Sequence, residues 1–151
     1  MRTYLVVIDE SEEARTALRF AARRAAKTGG AIAILAVIAP PDFVQWGGVQ
    51  AAMEEEARLR IDALVAQVAG ELIEETGLRP QISVRQGDPV ASVREHLAEQ
   101  DDVAALVLGA APGNAPGRLV AHFAGAGVGD MPCPVMIVPG GLDLAAIDRL
   151  S

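Results

Sequence analysis

Val103 to Val138 reads VAALVLGAAPGNAPGRLVAHFAGAGVGDMPCPVMIV, and its parsing decides the fold. Ala104 to Leu108 is an uncharged apolar run that ends at Gly109, which predicts a buried strand. Val135 to Val138 is a second such run, entered through Pro132-Cys133-Pro134. Between them lies a loop with Gly109, Gly113 and Gly117, followed by a helix start at Arg118. Two buried strands joined by a loop and a short helix form a parallel crossover. In an open parallel sheet, ligands bind beyond the carboxyl ends of the strands. A glycine-rich loop at that edge lets backbone N–H groups approach an anion.

The same alternation extends toward the N-terminus. Tyr4 to Ile8 is a buried strand bounded by Asp9. Asp9-Glu10-Ser11-Glu12-Glu13 opens a helix, with Asp or Ser as cap and acids at its positive dipole end. Ala14, Leu18, Ala21 and Ala25 recur at helical spacing until Gly29-Gly30. Ala31 to Ile38 is the second buried strand, and Pro40 to Gly48 is a loop holding the only Trp, Trp46. Met53, Ala57, Ile61, Leu64, Val68 and Leu72 form one face of a long amphipathic helix that Gly77 ends. The acids at Glu54–Glu56 and Glu71–Glu75 fall on its solvated side. Gln81 to Gln86 alternates and carries Arg85, as a half-exposed strand does. Gly87-Asp88-Pro89 then turns into a short helix with Val90, Val93 and Leu97 inward and His96 facing solvent.

Strands alternating with helices imply α/β architecture: a doubly wound parallel five-stranded sheet, Rossmann-like, with helices on both faces. Residues 1–140 form the domain, and 141–151 form a short C-terminal tail that either docks through Leu142, Ala145, Ile147 and Leu150 or frays. The 151 residues suit one core, and 51% of them are hydrophobic. The net charge of −7 and the lack of a basic run argue against a nucleic-acid partner. No apolar stretch approaches the ~20 residues of a membrane span. The N-terminal MRTYLVVIDE lacks a signal-peptide pattern, and a lone cysteine suits a reducing, cytoplasmic setting.

In chain order these fragments resemble the universal stress protein family. Val7-Ile8-Asp9-x-Ser11 follows the first strand, and Ala36-Val37 closes the second. Gly87-Asp88-Pro89 follows the third, Leu108-Gly109 closes the fourth, and Pro132-Cys133-Pro134-Val135 opens the fifth. The resemblance implies strand order 3-2-1-4-5, a homodimer and a role in stress survival. It further implies an adenine contact at Asp9, with the backbone of Val37 nearby; a helix-capping role is the alternative for Asp9. Family members that bind ATP carry Gly-x2-Gly-x9-Gly-[Ser/Thr] after the fourth strand. Here Gly109 matches the first glycine, but Pro112 stands at the second and Gly113 comes one place late. The closing pair falls on His122-Phe123 counted forward, or on Ala121-His122 counted back from Pro132. The motif is degenerate. Pro112 and Pro116 have no N–H to offer a phosphate, while Gly113, Asn114, Gly117 and the charge of Arg118 remain. His122 lies one helical turn beyond Arg118 and can share its face.

Other signals are weaker. Gly125-x-Gly127-x-Gly129 does not follow a strand, and Asp130 occupies the third glycine position, so it is no dinucleotide fingerprint. Each glycine there costs a helix about 1 kcal/mol relative to Ala, which predicts a short or loosened helix. Cys133 reads as structural, because no cation beside it lowers its pKa. In the resemblance's 3-2-1-4-5 order, Val135 to Val138 is an uncharged sheet edge. Pairing with the same strand of a second copy would cover it. No metal-ligand spacing, nucleophile–base pair or Walker A sequence is visible. The expectation is therefore a non-enzymatic dimeric interaction module with weak or absent ATP binding, acting on protein partners. The alternative is an adenine-nucleotide switch for ATP or AMP with at most slow hydrolysis.

Overall fold

A computed structural model describes residues 1–40 and 48–151. Five strands, β1 (Thr3–Ile8), β2 (Ala31–Ile38), β3 (Gln81–Gln86), β4 (Val103–Ala110) and β5 (Val135–Pro139), form a parallel sheet in the order β3-β2-β1-β4-β5. The helices are α1 (Glu12–Thr28), α2 (Gly48–Thr76), α3 (Pro89–Glu99), α4 (Arg118–Phe123) and α5 (Leu144–Leu150). The doubly wound plan and strand order agree with the sequence reading. Nearly all of the Pro40 to Gly48 loop, Trp46 included, lies outside the described residues.

Period-two alternation sends each strand's side chains to opposite layers. Tyr4, Val6 and Ile8 of β1 pack with Ala105 and Val107 of β4 against α1, α2 and α5. Leu5 and Val7 pack with Leu106 and Leu108 against α3 and α4, around Val93, Leu97 and Phe123. β1 is buried along its whole length. Each fully buried Leu, Ile or Val contributes about 1.5–3 kcal/mol of burial.

The alanine stripe of α1 explains its close packing. Ala14, Ala17, Ala21, Ala22 and Ala25 are buried, so the helix backbone can lie near the sheet. The approach is tightest at β4. A Cβ added to Gly109 would stand 2.0 Å from the carbonyl oxygen of Glu13, and one added to Gly140 would meet the Glu13 Cβ at 2.6 Å. Both glycines are space requirements at the first turn of α1. The helix begins at Ser11, whose hydroxyl accepts from the Ala14 N–H, and ends at Gly29 in the left-handed region, φ 70°.

In α2 the inward face is Ile61, Val65, Val68, Ala69 and Leu72. Met53, expected inward, is exposed, and Val65 takes a core place the stepwise count omitted. Glu55, Glu56, Glu71, Glu74 and Glu75 are exposed, as expected. α4 is short, and the glycine-rich segment after Phe123 holds a single 3-10 turn, Val128–Asp130. The tail docks as α5, with Ile147 in the core. Arg19 and Arg23 both pair with Asp148 at its outer side.

One expectation is corrected. His96 is buried, not solvent-facing. The Arg85 side chain of β3 folds over it: Arg85 Nε donates to His96 Nδ1 at 3.2 Å, and the guanidinium also pairs with Glu95 and Glu99 of α3. A cation capped by two acids covers the imidazole, and a sequence cannot show this because β3 and α3 meet only in three dimensions. Burial first, then the charge of Arg85, holds the imidazole pKa below 6.5, with Glu99 opposing.

Two outcomes follow from this packing. Gly109→Ala forces a backbone-on-backbone clash and should destabilise the domain by at least about 1–3 kcal/mol in a denaturant titration; a neutral result would mean that α1 can lift from β4. The depressed His96 pKa means that the unfolded chain binds a proton at higher pH than the native one. Its contribution is therefore complete above the unfolded value, near 6.5, and is lost as pH falls toward the folded pKa. His96→Asn, which keeps an acceptor for Arg85, should flatten the stability profile between about pH 7.5 and 5.5 relative to the parent chain. Superimposable profiles would show that His96 does not titrate in this window.

Candidate functional site

The carboxyl ends of β1, β2 and β4 face one cleft of about 190 Å³. It lies where the sheet order reverses, between β1 and β4, which is where open α/β sheets place ligands. Asp9, Val37, Gly109, Gly117 and Arg118 all line it. The topology brings together residues more than a hundred positions apart, because β1 and β4 are neighbours and α4 starts just beyond β4. Gly113, Asn114 and His122 are not among its lining residues.

Asp9 belongs to the turn that starts α1. Its Oδ1 accepts from the Ser11 N–H at 2.8 Å and from the Ser11 hydroxyl. Ser11, not Asp9, is the cap. Asp9 therefore fixes the capping serine and is exposed at the cleft wall. Val37 contributes from the end of β2 and is half-buried. Gly109 admits the Glu13 carbonyl, as described above, and Glu13 itself lines the cleft.

The loop after β4 closes on itself. The Ala111 N–H donates to the Pro116 carbonyl at 3.0 Å, which occupies an amide that could otherwise meet an anion. Pro112 and Pro116 have no amide hydrogen. Gly113 and Gly117 sit at φ 94° and 110°, conformations that favour glycine. Gly117 is the N-cap of α4 and supplies no side-chain cap.

Arg118 is the only cationic residue among those lining the cleft, and it is already engaged. Its Nη2 donates to Asp88 Oδ1 at 2.6 Å. Asp88 in turn caps α3 by accepting from the Ala91 N–H at 3.0 Å. That backbone bond, with help from Arg118, holds the Asp88 carboxyl below its ordinary value. Sequence reasoning placed Asp88 in a turn but missed its pairing with Arg118. The signal was the exposed acid in Gly87-Asp88-Pro89, whose strand neighbours the cleft.

His122 turns to a different partner. Arg94 of α3 approaches its Nε2 at 3.0 Å and also lies over the Phe123 ring, 5.4 Å from its centre. His122 and Phe123 meet edge to face at 4.9 Å. Arg118 and His122 thus bridge α4 to α3 at two points one turn apart. Burial pushes the Cys133 thiol above its ordinary pKa, opposed by the Leu106 amide, so it stays protonated at neutral pH and is a poor nucleophile. Among the described residues no group of three or more His, Cys, Asp or Glu is placed to hold a metal ion, and no helix is long and apolar enough to cross a membrane. The cleft thus presents the Asp9 carboxylate, backbone polar groups and one paired guanidinium over an apolar floor.

Solved structures share this architecture. Universal stress protein UspA from Lactobacillus plantarum superposes with a TM-score of 0.76 at 18% identity, covering 91% of this chain and 97% of its own. A universal stress protein in complex with cAMP matches with a TM-score of 0.58 at 16% identity, covering 91% of this chain and 96% of its own. An Arabidopsis thaliana universal stress protein family protein with AMP bound gives 0.54 at 14% identity, with 92% of each chain covered. At these identities the likeness establishes the fold. No curated protein matches the sequence. The family model described as the universal stress protein family matches residues 1–139, so this chain belongs to the universal stress protein family.

Proposed function

We propose that this chain is a cytoplasmic, non-enzymatic, dimeric interaction module of the stress response with weak or absent ATP binding. The observation that carries this reading is the charge balance of the cleft. Arg118 is neutralised by Asp88, while Asp9 adds a further carboxylate and no second cation lines the site among the described residues. A triphosphate entering there meets like charge at close range, which disfavours binding. The loop that would cradle it has given up three amides, at Ala111, Pro112 and Pro116.

The second reading is an adenine-nucleotide switch for ATP or AMP, with slow hydrolysis at most. It is favoured by the convergence of Asp9, Val37, Gly109, Gly117 and Arg118 on one cleft. AMP and cAMP in the related structures also support it. Gly113 and Asn114 in the loop, and His122 on α4, would complete its phosphate side after a loop rearrangement. A monophosphate brings less charge past Asp9 than a triphosphate, so AMP is the better candidate of the two.

Dimerisation is the other half of the proposal. β5 is a sheet edge, and Ile137 is 38% exposed on it. An uncharged edge strand invites pairing, and a second copy offers the matching edge.

Calorimetric titration with ATP and AMP, with and without Mg²⁺, decides between the two readings. No saturation below about millimolar nucleotide is expected, and a micromolar Kd would establish the switch instead. Asp88→Asn keeps a capping side chain but removes the charge from Arg118, and should tighten AMP binding several-fold. For the dimer, Ile137→Lys should shift the sizing profile to monomer or aggregate. A retained dimer would place the interface elsewhere.

A further inference from the structure

We propose that the groove between α1, α2 and α5 is a second ligand site, suited to a small zwitterion with an apolar side chain, namely an aliphatic amino acid. The groove encloses about 210 Å³ and shares no lining residue with the cleft at the strand ends. Its floor is hydrocarbon: Leu18, Val68, Leu72 and Ile147 are buried core residues, and Leu142 packs against them. Its volume is below the roughly 300–1,000 Å³ of pockets for drug-sized ligands, which points to a ligand of amino-acid size.

Charge at the rim selects the head group. Four ionic side chains line the groove: Arg15 and Arg19 from α1, and Glu71 and Glu75 from α2. Two of them already satisfy each other. Arg19 Nη1 donates to both carboxylate oxygens of Glu75 at 3.1 Å, and its Nε and Nη2 donate to Asp148 of α5 at 3.3 and 3.4 Å. The other two are not matched. Arg15 is exposed and makes no hydrogen bond or ion pair among the described residues. Glu71 is exposed and accepts only from Gln67 of its own helix, at 3.2 Å. One wall thus presents a cation with no partner among the described residues, and the other a carboxylate held only by Gln67; the floor is apolar, and Thr16 at its side spends its hydroxyl on the Glu12 carbonyl.

A plain carboxylate would satisfy Arg15 and be repelled by Glu71. A plain amine would satisfy Glu71 and be repelled by Arg15. An α-amino acid carries both charges on one carbon and answers both walls at once. Its aliphatic side chain displaces water from the apolar floor, where a polar side chain would find no partner. The Arg19–Glu75–Asp148 bridge ties α2 and α5 to α1.

The test is a titration of the full chain with L-leucine, followed by NMR shifts or calorimetry. The comparison ligands are 4-methylpentanoate, 3-methylbutylamine and L-alanine, which lack the ammonium, the carboxylate and the larger side chain. Leucine should saturate, and each comparison ligand should bind at least about tenfold more weakly. Arg15→Gln and Glu71→Gln, both surface changes, should each weaken leucine about tenfold or more without altering the melting temperature. Saturation by valine or isoleucine would also support the site. Failure of leucine to saturate by about 10 mM would overturn the proposal. So would equal binding of 4-methylpentanoate, or leucine binding that survives Arg15→Gln.

Discussion

The structure depends on the contact between the first turn of α1 and the end of β4. The Glu13 carbonyl occupies the space a side chain at position 109 would need. Only glycine permits this, and only a helix faced with alanine can lie so low on the sheet. The contact sets where α1 begins, and so where Asp9 and Ser11 turn and where Glu13 enters the cleft. The same approach that closes the core beneath α1 also brings the helix's first turn to the wall of the cleft.

The cleft has the geometry of a ligand site with its charges already paired. Asp88 caps α3 and at the same time neutralises Arg118 at the start of α4. One turn along, Arg94 and His122 make a second bridge between the same two helices. The residues that could meet an anion instead tie α4 to α3. The start of α4 is thereby held to α3 by ion pairing and ring packing.

Much of the fold was legible in the sequence because its signals are local. Uncharged β-branched runs marked four strands, alternation around Arg85 marked the fifth, and Gly29 and Gly77 marked helix ends. What the sequence concealed depends on neighbours distant in the chain. His96 reads as a surface residue beside Glu95 until Arg85 is seen to cover it. Met53 fits the helical count, yet it is exposed, and Val65 takes the core place instead. In the candidate site, convergence of Asp9, Val37, Gly109, Gly117 and Arg118 followed from strand order. The partnership of Arg118 with Asp88 did not, since it joins the ends of two different crossovers. Gly109 was read for its place in the loop, and the structure adds a packing reason for it, since the Glu13 carbonyl fills the space a side chain would need.

The strand order also has a consequence for how the chain is made. β1 is apolar on both faces and is synthesised first, yet one of its two neighbours is β4, with Thr3 opposite Val103. During translation β2 can pair with it early. The other edge of β1 has no partner until β2, β3 and the three helices between β1 and β4 have been made. A nascent chain thus carries an open, apolar template while those elements are synthesised, the kind of surface that attracts chaperones or misassembles with a neighbouring copy. Substitutions that slow production of β4 would then lower yield without changing the finished molecule's stability.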